Sequence, residues 1–315
     1  MGPIMPNLIA ILCSGQGGQH PAMFDLVANC PEAEPVFAAA AEVLGQDPRR
    51  FVREAARADV FSNRSGQILC CTQALATRAA LGMTWPTRTV ITGYSIGELA
   101  AWGCAGAADG PGILHLAQQR AAAMDAAAPS DGGLAAIVGL RRSTLELILA
   151  RYELSIAIAN DVDSFVVGGH RTGLDAACEE AAARGAKHIV TLPVAVPSHT
   201  PLLREATEQF RAVLRAASPQ LPGVGRRLLS GIDGDTIYDM ETGIDKLARQ
   251  ISTTIDWAAC LGSCRSAGAV AALELGPGTA LSRMASPLFP DGRARAVDEF
   301  RTLGGLKSWL QRAMD

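Results

Sequence analysis

The sequence predicts an α/β fold in which a parallel-sheet domain is interrupted by a small α+β insertion. Three observations carry that expectation. The run Leu8-Ile9-Ala10-Ile11-Leu12 is apolar without alternation, as in a strand buried on both faces. Strand and helix patterns then alternate to about residue 130 and resume after about residue 200. Between them, over about sixty residues, the order is β-α-β-β-α-β, the ferredoxin-like arrangement.

The elements follow in order. The first strand leads into a glycine-rich loop, Ser14-Gly15-Gln16-Gly17-Gly18-Gln19. Apolar residues at helical spacing predict helices over 32–44 and 67–81. A short strand over 89–92 runs into Gly93 and then into the helix formers Glu98-Leu99-Ala100-Ala101. A helix over 113–127 is ended by Pro129-Ser130-Asp131-Gly132-Gly133. The insertion reads as strands over 134–138, 155–159, 165–167 and 188–192, with helices over 144–152 and 174–184. After it come a helix over 201–214, a strand over 227–230, a helix ending near 267, and a strand over 270–275 that meets Gly276-Pro277-Gly278. The terminal helix spans 303–313. The expected division is a large subdomain over 1–130 and 199–315 and a ferredoxin-like one over 131–198.

Composition narrows the function classes. The 315 residues are 49% apolar and 19% charged, with a formal net charge of −3. Glycine and proline together make about 16%, below the level of low-complexity chains. Neither a basic excess nor a basic stripe is present, so nucleic acid is not an expected partner. The run 8–13 is too short for a membrane span, and residues 1–16 carry no basic region ahead of it. The eight cysteines form no C-x-x-C pair and sit mostly in apolar runs, which suits buried thiols in a reducing compartment. Cys260 and Cys264 are four residues apart but lack further ligands nearby, so no metal site is expected. A soluble cytoplasmic protein with no membrane partner is the expectation.

The strongest chemical signal is Gly93-Tyr94-Ser95-Ile96-Gly97 between a predicted strand and a predicted helix. That is the setting of a nucleophile elbow, where glycines relieve a sharp turn and the helix N-terminus favours developing negative charge. Ser95 is the candidate nucleophile. Among five histidines, His199 alone lies at the junction of the two predicted subdomains, where clefts form, and is the candidate base. No acid between Ser95 and His199 stands out, which does not fit a lipase-type triad. Asp256 follows in Thr253-Thr254-Ile255-Asp256-Trp257, so either that carboxylate or a backbone carbonyl orients the imidazole. Arg120 lies on an apolar helix beside Leu114, Ala117, Ala121 and Met124, where a buried guanidinium needs a partner.

Together, Gly15-Gln16-Gly17-Gly18-Gln19, Gly93-Tyr94-Ser95-Ile96-Gly97-Glu98, Arg120, Val196-Pro197-Ser198-His199 and Glu274-Leu275-Gly276-Pro277-Gly278 resemble the malonyl-CoA:acyl-carrier-protein transacylase family. The motifs stand in order over nearly the whole chain. The resemblance implies an α/β-hydrolase-like large subdomain with a ferredoxin-like insertion. It implies acyl transfer through Ser95, with His199 as general base and acid and the N–H groups of Gln16 and Ile96 as the oxyanion hole. Arg120 would clamp a malonyl carboxylate, with Met124, Ser198 and Asn160 as further substrate-binding positions. The implied substrate is malonyl-CoA, with no bound cofactor, and the implied partner is an acyl carrier protein. Cys13-Ser14 and Tyr94 depart from the common pattern. They lean the reading toward the ε subunit of malonate decarboxylase, which charges that enzyme's own carrier. The alternatives are a transacylase of fatty acid or polyketide synthesis and a thioesterase-like hydrolase.

Overall fold

The computed structural model describes residues 6–315; the expectation for the N-terminal stretch falls partly on residues 1–5, outside the described residues. Ten strands form two five-stranded sheets. In chain order they are β1 (Leu8–Cys13), β2 (Thr89–Gly93), β3 (Gly132–Val138), β4 (Ser155–Asp161), β5 (Ser164–His170), β6 (His188–Thr191), β7 (Arg226–Leu228), β8 (Ile255–Asp256), β9 (Ala269–Leu275) and β10 (Ala294–Ala296). The first sheet runs β10-β9-β1-β2-β7 and every pair in it is parallel. β1 occupies the centre. Its continuous apolar run is explained by cover on both sides: Ile9, Ile11 and Cys13 enter one core cluster and Leu8, Ala10 and Leu12 another.

The second sheet runs β6-β3-β5-β4-β8. Its first four strands are antiparallel, and with helices Arg142–Arg151 and Arg171–Ala183 they make the ferredoxin-like unit. β8 joins from beyond the insertion, parallel to β4. The second cluster of β1 extends across to Leu134, Ile158 and Val166, so apolar packing ties the two sheets together. The fold is the α/β class expected, a large α/β part with a ferredoxin-like part inserted.

Predicted elements recur with ends shifted by a few residues. The helix foreseen over 113–127 starts at Gly110, because Asp109 accepts from Gly112 N at 2.8 Å and Pro111 suits the first turn. Two elements that matter for the site have no counterpart in the sequence reading. Helix Met240–Arg249 is capped by Asp239, whose carboxylate accepts from Thr242 N at 2.8 Å, and its end delivers Gln250. β8 is only two residues long, too short to show a period. Among the described residues, no helix is long and apolar enough to cross a membrane, and no three His, Cys, Asp or Glu side chains are grouped to hold a metal ion.

Candidate active site

Ser95 stands between β2 and helix Ile96–Ala105, at φ 57° and ψ −120°. A non-glycine residue held there costs on the order of 1–3 kcal/mol, which the surrounding packing must offset. The flanking glycines show why the turn is so tight. A Cβ on Gly93 would lie 2.0 Å from Gly97, and a Cβ on Gly97 would lie 2.0 Å from the Cys13 carbonyl oxygen. The helix therefore begins against the end of β1, with Ser95 pushed out at the carboxyl edge of the parallel sheet.

His199 also has positive φ, 64°, on a segment pinned at three points. Its N–H donates to the Ile251 carbonyl at 2.7 Å, Thr200 Oγ1 donates to the Pro197 carbonyl at 2.7 Å, and helix-starting Pro201 follows. The ring is 2% exposed. Nδ1 lies 2.6 Å from the Gln250 carbonyl, and Nε2 lies 2.8 Å from Ser95 Oγ. A carbonyl only accepts, so Nδ1 carries the proton and Nε2 is left with a lone pair facing the serine hydroxyl. Burial, with a smaller push from the Arg120 charge, lowers the His199 pKa to about 3. The imidazole is neutral at pH 7 and free to take the Ser95 proton.

Here the expectation for Asp256 is corrected. Its carboxylate does not orient His199. It caps helix Trp257–Ser266, accepting from Ala259 N at 2.9 Å, a task for which an aspartate before a helix is well suited. The Gln250 carbonyl is the partner of His199 instead. Gln250 is the residue that sequence reasoning missed altogether. It is fully buried and reaches three ways with its side chain: Nε2 donates to the Ser95 carbonyl at 2.9 Å and to Glu98 Oε2 at 2.7 Å, and Oε1 accepts from Arg120 at 2.9 Å.

Arg120 is 1% exposed on the inner face of its helix. Its guanidinium donates to Gln67 Oε1 at 2.8 Å and to Gln250 Oε1, while Nε has no partner. Both partners are neutral amides. Burial lowers its pKa to about 10, still far above neutrality, so a buried cation faces the site without a carboxylate in contact. Met124, one turn on, is buried and touches Gln67, whose Nε2 lies 3.5 Å from its sulfur. Glu98, fully buried one turn from Ser95, has its pKa raised to about 7 by burial.

The remaining positions surround this centre. Gly15 lies against the Tyr94 carbonyl, 2.8 Å from where a side chain would start, and so brings the Gln16 backbone beside the elbow. Among the described residues, neither the Gln16 nor the Ile96 N–H has a hydrogen-bond partner. Asn160, near the end of β4, has a buried Oδ1 without a partner. Ser198 is partly buried, its hydroxyl 3.5 Å from the Val196 carbonyl. Tyr94 packs edge-on against Trp257 at 5.4 Å, and Ser14 Oγ donates to buried Glu274 at 2.8 Å. A cleft of about 540 Å³ adjoins His199, walled by Arg204, Arg211 and Arg249 among others.

A serine on a strand–helix elbow, a neutral histidine on its hydroxyl and backbone N–H groups at a helix start define an acyl-transfer or acyl-hydrolysis enzyme of α/β-hydrolase-like architecture. No family model matches the chain. It is 27% identical over 301 residues to the malonyl CoA-acyl carrier protein transacylase of Salmonella typhimurium, covering 92% of this chain and 96% of that one. The crystal structure of acyl-carrier-protein S-malonyltransferase from Burkholderia pseudomallei superimposes with a TM-score of 0.87 at 27% identity, over 95% of this chain and 99% of the other. A malonyl-transacylase solved in complex with a type II PKS acyl-carrier protein shares the fold, at 24% identity and a TM-score of 0.86 over 98% and 99% of the two chains. Over nearly its whole length the chain is similar to malonyl CoA-acyl carrier protein transacylases.

Proposed function

We propose that this protein transfers malonyl from malonyl-CoA to the phosphopantetheine-type thiol of an acyl carrier protein, through an ester on Ser95. His199 Nε2 takes the Ser95 proton as Oγ attacks the thioester carbonyl, and returns it to the departing CoA sulfur. The carrier thiol then gives its proton to the same nitrogen and attacks the acyl-serine, which regenerates the Ser95 hydroxyl. The N–H groups of Gln16 and Ile96 receive the oxyanion of each tetrahedral intermediate. Met124, Ser198 and Asn160 line the approach.

The observation that supports malonyl over a simple acyl group is Arg120, a buried cation with only amide partners. A malonyl carboxylate supplies the missing counter-charge in the planar, forked geometry that a guanidinium prefers. A second reading, hydrolysis, shares Ser95, His199 and Arg120 and differs in the acceptor, water instead of a thiol. The sequence departures at Cys13-Ser14 and Tyr94 are part of the case for a decarboxylase carrier. Ser14 and Tyr94 pack against Glu274 and Trp257, so they carry no argument about the carrier. Eight free thiols and a CoA substrate suit the cytoplasm.

The test is selectivity. In Arg120→Ala, malonyl-CoA should lose on the order of 2–5 kcal/mol of kcat/KM while acetyl-CoA, which has no carboxylate, loses little. Arg120→Lys should rescue poorly, because a point charge does not reproduce the fork. An equal fall for both donors would make Arg120 a support of the fold, and the dicarboxylyl reading would fail.

A further inference from the structure

Among the described residues, Gln250 alone touches the nucleophile's turn, the base and the cation together, and it does so with two different groups. Its main-chain carbonyl holds His199 Nδ1, and its side-chain amide spans Arg120 and the Ser95 carbonyl. An amide has a direction. Oε1 must face the cation and Nε2 must face acceptors; turned over, it would set N–H groups against the guanidinium and leave the Ser95 carbonyl without its donor. The same Nε2 that donates to the Ser95 carbonyl also donates to Glu98 Oε2, at 2.7 Å.

We propose that Glu98 is a positioning residue: by accepting from Gln250 Nε2 it fixes the direction of that amide, and through it the seating of both Arg120 and the Ser95 turn. The proposal rests on the transfer reaction proposed above. The carboxylate has nowhere else to go. Glu98 is fully buried, its Oε1 has no partner, and Gly231 leaves no space, since a Cβ there would lie 2.6 Å from Glu98 Oε2. A carboxylate held in a dry site at this cost needs a task. Here its Oε2 is the last acceptor of a line that runs from Arg120 through one amide to Glu98. The line also seats the buried cation before substrate arrives, through amide partners that leave its Nε without one.

The two arms predict two separable kinetic effects. Loss of the acceptor frees the amide, so the Ser95 carbonyl loses a fixed donor and transfer slows for every acyl donor, while Arg120 loses its seat and only donors with a carboxylate bind less well. The experiment measures kcat and KM for malonyl-CoA and acetyl-CoA, with a phosphopantetheinylated carrier as acceptor, in wild type, Glu98→Ala, Glu98→Gln and Gly231→Ala, with circular dichroism on each. Glu98→Ala should lower kcat about tenfold to a hundredfold for both donors, as loss of a hydrogen bond to a charged group does, and raise KM for malonyl-CoA alone. Glu98→Gln keeps an acceptor oxygen and should restore most of both. Gly231→Ala should reproduce the direction of Glu98→Ala with the carboxylate still present, and it carries the test if Glu98→Ala does not fold. Wild-type kinetics in Glu98→Ala or Gly231→Ala, or a Glu98→Gln as impaired as Glu98→Ala, would overturn the proposal. A wild type inert toward malonyl-CoA would instead sink the transfer reaction on which it rests.

Discussion

Ser95→Ala is expected to leave the fold intact and to end acyl-enzyme formation. The side chain is hydrogen-bonded to His199, so its loss leaves a neutral imidazole facing a small void and no unpaired charge. The elbow itself survives, because its geometry is set by Gly93 and Gly97 packing on one another and on Cys13 rather than by the hydroxyl. After exposure to malonyl-CoA, intact-protein mass spectrometry should show a malonyl adduct on wild type and none on the variant. An adduct that persists in Ser95→Ala would place the nucleophile elsewhere.

His199→Ala carries the second large effect. Removing the group that takes and returns the proton should cost at least the ~10²–10⁴-fold typical of general acid–base catalysis. The pH dependence makes the prediction sharper. With the folded pKa near 3, wild-type acyl-enzyme formation should show no histidine limb around pH 6.5. Stability has the opposite behaviour at that pH. The unfolded histidine takes a proton below about 6.5 and the folded one does not until near 3, so acidification across that window favours the unfolded state. His199→Ala should remove that share of the acid sensitivity. Transfer at the wild-type rate in His199→Ala, measured by release of CoA, would move the base to another residue.

What the sequence disclosed and what it withheld follow from the range of each interaction. The elbow was readable because its chemistry is local: Gly93, Ser95 and Gly97 fall within five residues, between a strand and a helix that announce themselves by composition. The central strand was readable because β1 is covered on both faces and so is apolar at every position. His199 could be picked out because few histidines compete with it. Gln250 could not. It acts through a main-chain carbonyl that any residue possesses, and through an amide whose three partners lie 130 to 155 residues away in sequence. The helix that delivers it, Met240–Arg249, has Gly243 near its middle, which weakens its periodic signal. Asp256 was misplaced for a related reason. Its side chain satisfies the backbone three residues on, a capping role, while the expectation looked for a long-range partner of His199.

One local clue was available for the network behind the site. Glu98 is an acidic residue in the first turn of a helix that is apolar on every other side, and such a residue is either exposed or specifically paired. The sequence identifies the residue; only the fold shows that it meets Gln250 and, through it, Arg120.

The central claim is that the acyl group passes through this protein to a thiol and not to water. The most direct measurement mixes the protein with malonyl-CoA, with and without a phosphopantetheinylated acyl carrier protein, and follows CoA, malonyl-carrier and free malonate together. The account predicts that malonyl-carrier appears in step with released CoA, and that without the carrier CoA release stops near one equivalent per enzyme. Continuous release of malonate at the same rate whether or not the carrier is present would contradict it, and would make the protein a hydrolase.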